Sequence, residues 1–138
     1  MPANIDLRVR FPVDDEQLSS LHARAFGSAR SVTAPWAQRL QRHSLTWIGA
    51  FDRDHLVGFV HACWDGGAHA FLLDTAVEPS RQHDGIGTCL VRALIDEATA
   101  AGCEWLHVDY EPHLSAFYAG ACGFGSTSAG LRRLAPWK

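Results

Sequence analysis

The sequence predicts an α/β fold of the α+β kind, with a mixed, mostly antiparallel central sheet of six to seven strands. Its 138 residues fit one domain, spanning residues 1–138. Apolar residues make up 47% of the chain, enough for a core that needs no disulfide or metal to hold it together. In some segments apolar and polar residues alternate with a period of two, and in others apolar residues repeat at helical spacing. This pattern indicates that strands and helices share the core.

One strand and two helices are expected before residue 44. Residues 5–11 alternate between apolar and polar side chains, which is typical of a half-buried strand. Asp14 is a suitable N-cap for the first helix. The apolar face of this helix repeats through Leu18, Leu21, His22, Ala25 and Phe26, and His22 is interpreted as a packing or rim residue. Pro35 suits the first turn of a shorter helix that runs toward His43.

Three antiparallel strands are expected next. Residues 45–51 and 56–64 are strand-like runs joined by a short polar connection, which predicts a hairpin. The sequence Asp-Gly-Gly at 65–67 predicts a second turn. It leads to residues 69–77, which are rich enough in Phe, Leu and Val for a central strand that stops before Pro79.

A strand–helix–strand unit follows in the C-terminal half. From Ile86 onward, apolar residues repeat at helical spacing as far as Gly102, which is a suitable C-terminal cap residue. Residues 105–110 predict the next strand, and Pro112 can open a further helix. Residues 124–134 have room for one short closing hairpin.

Charge, hydropathy and cysteine spacing argue against several kinds of partner. The formal net charge is −3 and basic residues are not clustered, so no nucleic-acid partner is expected. No run approaches the roughly 20 apolar residues of a membrane span, and residues 1–6 lack the pattern of a signal peptide. A cytoplasmic protein that binds no membrane is therefore expected. The cysteines, interpreted as buried thiols, include no Cys-x-x-Cys pair, and no metal site is predicted.

The segment between the central strand and the long helix is the most informative part of the chain. Gly85 and Gly87 allow the backbone to approach an oxyanion closely, and a helix start attracts phosphate. A diphosphate suits such a loop. The segment lacks the lysine of a P-loop and the third glycine of a dinucleotide-binding fingerprint, which argues against ATP, GTP and NAD. The alternative is that the two glycines only form a tight turn.

This segment resembles the loop of the GNAT superfamily of acyl-CoA-dependent N-acyltransferases. Residues 82–87, Gln-His-Asp-Gly-Ile-Gly, fit that family's Gln/Arg-x-x-Gly-x-Gly/Ala pattern. Phe117-Tyr118 followed by Gly123-Phe124 adds to a match that covers nearly the whole chain. The resemblance implies helices on both faces of the sheet, a splay between the fourth and fifth strands, and acetyl-CoA bound between them as co-substrate. It implies that the cofactor-binding residues are Ala76, Val77, Gln82, His83, Asp84, Gly85, Ile86, Gly87 and Thr88.

Amide formation from a thioester needs an amine nucleophile, an oxyanion stabiliser and a proton for the departing thiolate. The resemblance implies Tyr118 as the proton donor, at five positions before Gly123 where the family usually has four. Packing alone is the alternative role for Tyr118. Several family members carry a glutamate base at the position of Phe71, so Asp74 and Glu111 are the candidate bases here. A structural hydrogen bond is the alternative for each, and binding of the substrate ammonium group is a further functional role for Asp74.

These features predict an N-acetyltransferase that moves an acetyl group from acetyl-CoA to a primary amine by direct attack in a ternary complex. The amine belongs to an unidentified small molecule or peptide. The alternative is a non-catalytic acyl-CoA-binding regulatory module. We expect the acceptor pocket between residues 26–42 and the openings of the fourth and fifth strands, with Trp36 contacting either the amine or the core. A homodimer is one option for the assembly.

Overall fold

The computed structural model describes residues 3–28 and 32–136, which fold around a five-stranded sheet. In chain order the strands and helices are β1 (Ile5–Val9), α1 (Asp15–Ala25), α2 (Trp36–His43), β2 (Ser44–Asp52), β3 (His55–Trp64), β4 (His69–Val77), α3 (Ile86–Ala100) and β5 (Trp105–His107). Single 3-10 turns occupy Pro79–Arg81 and Pro112–Leu114, and a π-helix occupies Ala116–Ala121. No helix in the described ranges is long and apolar enough to cross a membrane.

The sheet is mixed, and its parallel pair is short. The strand order is β1-β2-β3-β4-β5, and the first three pairings are antiparallel. β4 and β5 run parallel through three residue pairs, the last of which joins Phe71 to His107. β5 ends at His107, so the prediction that it reaches Tyr110 is wrong, whereas β4 continues to Val77. From Leu72 onward, β4 therefore has no strand partner on this side in the described chain.

The closing hairpin predicted for residues 124–134 is wrong, and the described sheet has five strands rather than six or seven. Residues 122–136 contain neither helix nor strand. The side chains of Leu131 and Leu134 are 89% and 90% exposed, and residues 123–130 are mostly Gly, Ser, Thr and Ala. Such a segment buries too little apolar surface to offset the entropy of ordering its backbone.

Helices cover both faces of the sheet, as predicted. α3 packs on one face, in a cluster whose buried members are Ile5, Ile48, Ala50, Val57, Val60, Ala62, Leu72, Ile86, Leu90, Val91, Leu94 and Tyr118. α1 and α2 pack on the other face, in a cluster whose buried members are Phe11, Leu18, Leu21, Trp36, Leu40, Phe51, Leu56, Phe59 and Ala76. The strand β4 thus separates a layer that contains α3 from a layer that contains α1 and α2.

Local signals in the sequence account for the ends of the two longer helices. The carboxylate of Asp14 caps α1 by accepting a hydrogen bond from the backbone N–H of Gln17 (2.9 Å). Gly85, with φ of 84°, precedes α3, and Gly102, with φ of 92°, follows it. Both glycines adopt the left-handed backbone conformation that residues with a Cβ rarely take. The predicted boundaries of these helices are confirmed.

Candidate active site

Tyr118 lies beside the open edge of β4. Its hydroxyl donates a hydrogen bond to Thr75 Oγ1 (3.1 Å), and its ring stacks on that of Tyr110 with centroids 5.0 Å apart. The side chain is buried, with 7% of its surface exposed. Burial raises the pKa of Tyr118, and the hydrogen bond with Thr75 offsets only part of that effect. The phenol therefore keeps its proton at neutral pH and can donate it.

The π-helix explains how Tyr118 reaches this position from its unusual spacing. In an α-helix, one additional residue would turn a side chain by about 100° around the axis. Here the turn is widened instead, because the backbone N–H of Cys122 donates to the carbonyl of Phe117, five residues earlier (2.9 Å). Single π-helical turns absorb one inserted residue in this way. The extra residue before Gly123 is thus taken up without turning Tyr118 away from Thr75.

The loop after β4 leads directly into the first turn of α3. Gly85 takes its left-handed conformation immediately before the helix, and His83 also has a positive φ, of 69°. The backbone N–H groups of Ile86, Gly87 and Thr88 lie in the first turn, where a helix offers no partner for its donors. The side chain of Ile86 is buried in the α3 cluster, so only its backbone N–H is available to a ligand.

The charges of this loop are partly neutralised by Arg81. Its guanidinium lies 2.9 Å from Asp52 Oδ2 and 3.8 Å from Asp84 Oδ2. Gln82 and Asp84 are both exposed, and Gln82 Nε2 donates to the carbonyl of Val77 (3.4 Å). The negative charge of Asp84 therefore stands next to a cation at the start of α3.

Gly87 also makes room for a side chain. A Cβ built on Gly87 would lie 3.2 Å from ring atoms of Phe117, so the glycine allows that ring to pack on the first turn of α3. A substitution at Gly87 would disturb this contact as well as the loop. Thr88, which is half-buried in the same turn, is a cleaner position at which to probe the loop.

Asp74 lies at an irregular point of β4 and contacts two histidines. Its φ is 57°, and the register between β3 and β4 shifts between Phe59 and His61. His22 Nε2 lies 3.0 Å from Asp74 Oδ1, and His61 Nε2 lies 2.7 Å from Oδ2. Burial raises the pKa of the Asp74 carboxyl, but hydrogen bonds from His61 and His22 outweigh burial and lower this pKa to about 2. Asp74 is therefore an ionised hydrogen-bond acceptor and by itself a weak base.

No motif along the sequence links Asp74 to these histidines. His22 fits the apolar repeat of α1, and His61 lies within a buried strand, so neither forms a motif with Asp74 along the chain. Arg39 of α2 adds a third contact, with Nη2 3.6 Å from Asp74 Oδ2 and the guanidinium 4.4 Å from the centre of the Trp36 ring. The contacts of Asp74 depend on the register between β3 and β4, and a shift of one residue in that register would change them.

The other two positions considered for a base lie apart from this cluster. Glu111 is exposed beyond the end of β5, and its carbonyl accepts a hydrogen bond from the N–H of Leu114 (2.9 Å). No hydrogen bond or ion pair joins Glu111 to Asp74 among the described residues. Phe71, at the last paired position of β4, stacks on His107 with ring centroids 4.5 Å apart.

A pocket of about 400 Å³ opens beside His22, in the region expected to receive the acceptor. Its described lining residues are Ser19, His22, Ala23, Phe26, Ser28, Val32, Ala34, Trp36 and Arg39. This lining includes one permanent cation, Arg39, and no carboxylate, and Trp36 is buried in the core cluster that joins α1 and α2. A larger open depression of about 580 Å³ lies at the β2–β3 turn, and none of the candidate site residues lines it.

No metal centre is found in the described ranges. There, no group of three or more His, Cys, Asp or Glu side chains could hold a metal ion. The four cysteines are unpaired and only half-buried, so the interpretation of them as buried thiols is wrong. Burial raises the pKa of the Cys63 and Cys122 thiols, which favours their protonated, less nucleophilic form.

The lowered pKa of Asp74 predicts a pH-dependent contribution to stability. Its folded-state pKa of about 2 lies below the usual 3.8, so the contribution is present above about pH 4 and is lost as pH falls toward 2. At roughly 1.4 kcal/mol per pKa unit, it amounts to about 2 kcal/mol. The difference in unfolding free energy between the wild type and Asp74→Asn should shrink by about this amount across that interval.

Urea denaturation at a series of pH values measures this difference. Asp109→Asn, which removes an exposed carboxylate, controls for the loss of one negative charge. A wild-type to Asp74→Asn difference that does not change with pH, once the control is subtracted, would contradict the assigned hydrogen bonds of Asp74 with His22 and His61.

Known proteins are similar to this chain in sequence and in fold. The family model for the acetyltransferase (GNAT) family matches residues 16–124. The chloroplastic GCN5-related N-acetyltransferase 1 of Arabidopsis thaliana is 31% identical over 118 residues, which cover 85% of this chain and 59% of that protein. The chain thus spans less than two thirds of the length of this curated relative.

Two solved structures show the same fold. An acetyltransferase of Trypanosoma brucei superimposes with a TM-score of 0.79 at 20% identity, covering 94% of this chain and 98% of that one. AAC(6')-Iy, solved in complex with the bisubstrate analogue CoA-S-monomethyl-acetylneamine, gives a TM-score of 0.76 at 19% identity, covering 96% of this chain and 99% of that one. At these identities the structures support the fold, while the family match covers most of the chain. The chain belongs to the GNAT family of acetyltransferases.

Proposed function

We propose that this protein is an N-acetyltransferase that moves the acetyl group of acetyl-CoA to a primary amine by direct attack in a ternary complex. The observation that carries the proposal is the buried Tyr118 hydroxyl, which is held against Thr75 at the open edge of β4. Family membership supports acyl transfer in general. The acceptor is an amine of a small molecule or peptide that fits beside His22.

The first turn of α3 provides the phosphate end of the proposed acetyl-CoA site. Its unpartnered N–H groups and the positive end of the helix favour a diphosphate. The left-handed backbone at His83 and Gly85 turns the loop so that it leads straight into these donors. We assign diphosphate contacts to the loop residues Gln82, His83, Asp84, Gly85, Ile86, Gly87 and Thr88.

The end of β4 provides the contacts for the pantetheine arm. Ala76 and Val77 pair with β3 on one side and have no strand partner on the other in the described chain. The side chain of Ala76 is buried in the core, so its backbone groups are what a ligand can reach. Backbone donors and acceptors along an unpaired strand edge suit the amides of an extended arm.

Tyr118 is proposed to give its proton to sulfur as the thiolate leaves. A buried phenol with a raised pKa is protonated at neutral pH, which is the state that a proton donor needs. Between the two candidate bases, the geometry favours a role for Asp74 over Glu111, because Asp74 contacts a histidine that lines the acceptor pocket.

The second candidate function, a non-catalytic acyl-CoA-binding module, is favoured by one residue. Phe71 stands where several family members carry a glutamate, and a phenyl ring accepts no proton. Such a module would bind acetyl-CoA without releasing free thiol in the presence of any amine. The extent of the domain over residues 1–138, the cytoplasmic location and the homodimer remain predictions, and the curated relative is named as chloroplastic.

Thr88→Glu tests the proposed diphosphate site. The added carboxylate should weaken CoA binding at least tenfold, because like charges in a partly buried site repel strongly. An acidic residue in the first turn favours the helix by about 0.3–1 kcal/mol, so the melting temperature should not fall. Isothermal calorimetry with CoA and a thermal melt measure the two effects.

Thr88→Gln is the matched neutral control, because it keeps the backbone N–H of residue 88 and differs from Thr88→Glu only in the charge, so it should bind CoA at least tenfold more tightly than Thr88→Glu. Equal CoA affinity for Thr88→Glu and Thr88→Gln would contradict the proposal that the diphosphate binds at the start of α3.

Tyr118→Phe tests the proposed proton donor. Loss of the hydroxyl should lower kcat by about 10²–10⁴-fold with little change in the KM for acetyl-CoA, because the proton is needed only as the thiolate leaves. Thiol release from acetyl-CoA measures both constants. Tyr110→Phe, which changes the stacked neighbour, is the control and should retain activity. If Tyr118→Phe turns over at the wild-type rate, Tyr118 has a packing role only.

A further inference from the structure

The cluster around Asp74 places its two histidines in different surroundings. The His61 side chain is 1% exposed, and its Nδ1 lies 3.4 Å from Ser44 Oγ. The His22 side chain is 31% exposed and lines the pocket beside α1 and α2. Of the two histidines, His22 is therefore the one that can meet a molecule in this pocket.

The Asp74 carboxylate determines which nitrogen of each ring carries the hydrogen. An ionised carboxylate accepts hydrogen bonds and donates none, so both histidines present Nε2–H to Asp74. In a neutral imidazole the other nitrogen, Nδ1, then has a free lone pair. Ser44 lies against Nδ1 of His61, whereas no described residue forms a hydrogen bond with Nδ1 of His22. Among the described residues, nothing therefore prevents this nitrogen of His22 from accepting a proton.

The charged groups near His22 stabilise the imidazolium that forms during the reaction, when Nδ1 accepts a proton. A carboxylate at hydrogen-bond distance stabilises an imidazolium, and Asp74 lies 3.0 Å away. The other titratable or charged groups packed around this carboxylate are Arg39 of α2 and His61 and the Cys63 thiol of β3. Arg39 opposes the effect, but its side chain is 48% exposed, so solvent screens much of its charge.

The two proton-handling groups contact neighbouring residues of β4. Asp74 reaches His22 in the layer of α1 and α2, whereas Thr75 reaches Tyr118 in the cluster that contains α3. These contacts place the side chains of Asp74 and Thr75 on opposite faces of β4. An acyl group held at this point of β4 would therefore have a proton acceptor on one side and a proton donor on the other.

We propose that His22 is the proton acceptor for the attacking amine and that Asp74 is a positioning residue that orients it. This inference rests on the proposed function. As the nitrogen of a neutral amine bonds to the carbonyl carbon, His22 Nδ1 takes one proton from that nitrogen. As the carbon–sulfur bond breaks, the Tyr118 hydroxyl gives one proton to sulfur. The products are an amide and a thiol, and solvent removes the proton from His22 and restores that of Tyr118.

The kinetic test compares the wild type with His22→Gln. Glutamine can donate a hydrogen bond to Asp74 but accepts no proton at its amide. The probes are spermidine, kanamycin, lysine and a peptide with a free N terminus, and the comparison uses the amine that releases thiol fastest. For that amine, kcat/KM should fall by about 10²–10⁴-fold at pH 8, with CoA affinity unchanged by calorimetry.

The pH dependence separates a catalytic role from a structural one. A proton acceptor works only in its unprotonated form, so the ratio of wild-type to variant kcat/KM should fall toward one as the pH is lowered. A purely structural role would leave this ratio constant. His69→Gln is the matched control, because it changes an exposed histidine of β4 that contacts His107 rather than Asp74.

Nitrogen NMR of the histidine rings gives a readout that needs no turnover. His22 and His61 should both carry hydrogen on Nε2 at neutral pH, and a His22 ring with hydrogen on Nδ1 would overturn the proposal. If the wild type acetylates an amine and His22→Gln matches its rate and pH profile, the role of His22 alone is contradicted. If the wild type binds acetyl-CoA but acetylates none of the probes, the proposed function fails, and the role of His22 fails with it.

Discussion

The early end of the pairing between β4 and β5 is the constraint on which the rest of the site depends. After Phe71 pairs with His107, the backbone of β4 continues to Val77 without a strand partner on that side in the described chain. Backbone donors and acceptors left without partners cost free energy unless a ligand, water or side chain satisfies them. The same stretch of β4 contacts Tyr118 and leads into the first turn of α3. One extended ligand could therefore contact both.

Two neighbouring residues of β4 hold the side chains that are proposed to transfer protons at this opening. Thr75 accepts the hydrogen bond of Tyr118, and Asp74 accepts the hydrogen bond of His22. The wide π-helical turn keeps Tyr118 aimed at Thr75, and the left-handed backbone at Asp74 coincides with the shift in the β3–β4 register. Both local irregularities thus occur where the proposed reaction needs a particular side-chain direction, as backbone strain at functional sites often does.

Local chemistry made much of the fold predictable, and long-range register limited the rest. The N-cap at Asp14 and the left-handed Gly85 are short-range effects that can be predicted from neighbouring residues in the sequence. The tyrosine spacing marks an inserted residue, but spacing cannot distinguish a π-helical turn from a rotated side chain. The contact of His22 with Asp74 depends on how α1 docks on the sheet, which no local pattern encodes. The closing hairpin fails because too little of residues 124–134 can be buried.

The central claim is that acyl-CoA binds along the open edge of β4, with its diphosphate at the start of α3. Hydrogen exchange of the full chain with and without saturating CoA tests it directly, because bound ligand protects the amides that it contacts. We expect slower exchange at residues 72–77 and 86–88, with residues 52–55 of the β2–β3 turn unchanged. Protection at the β2–β3 turn alone, or no protection at the β4 edge under saturating CoA, would contradict it.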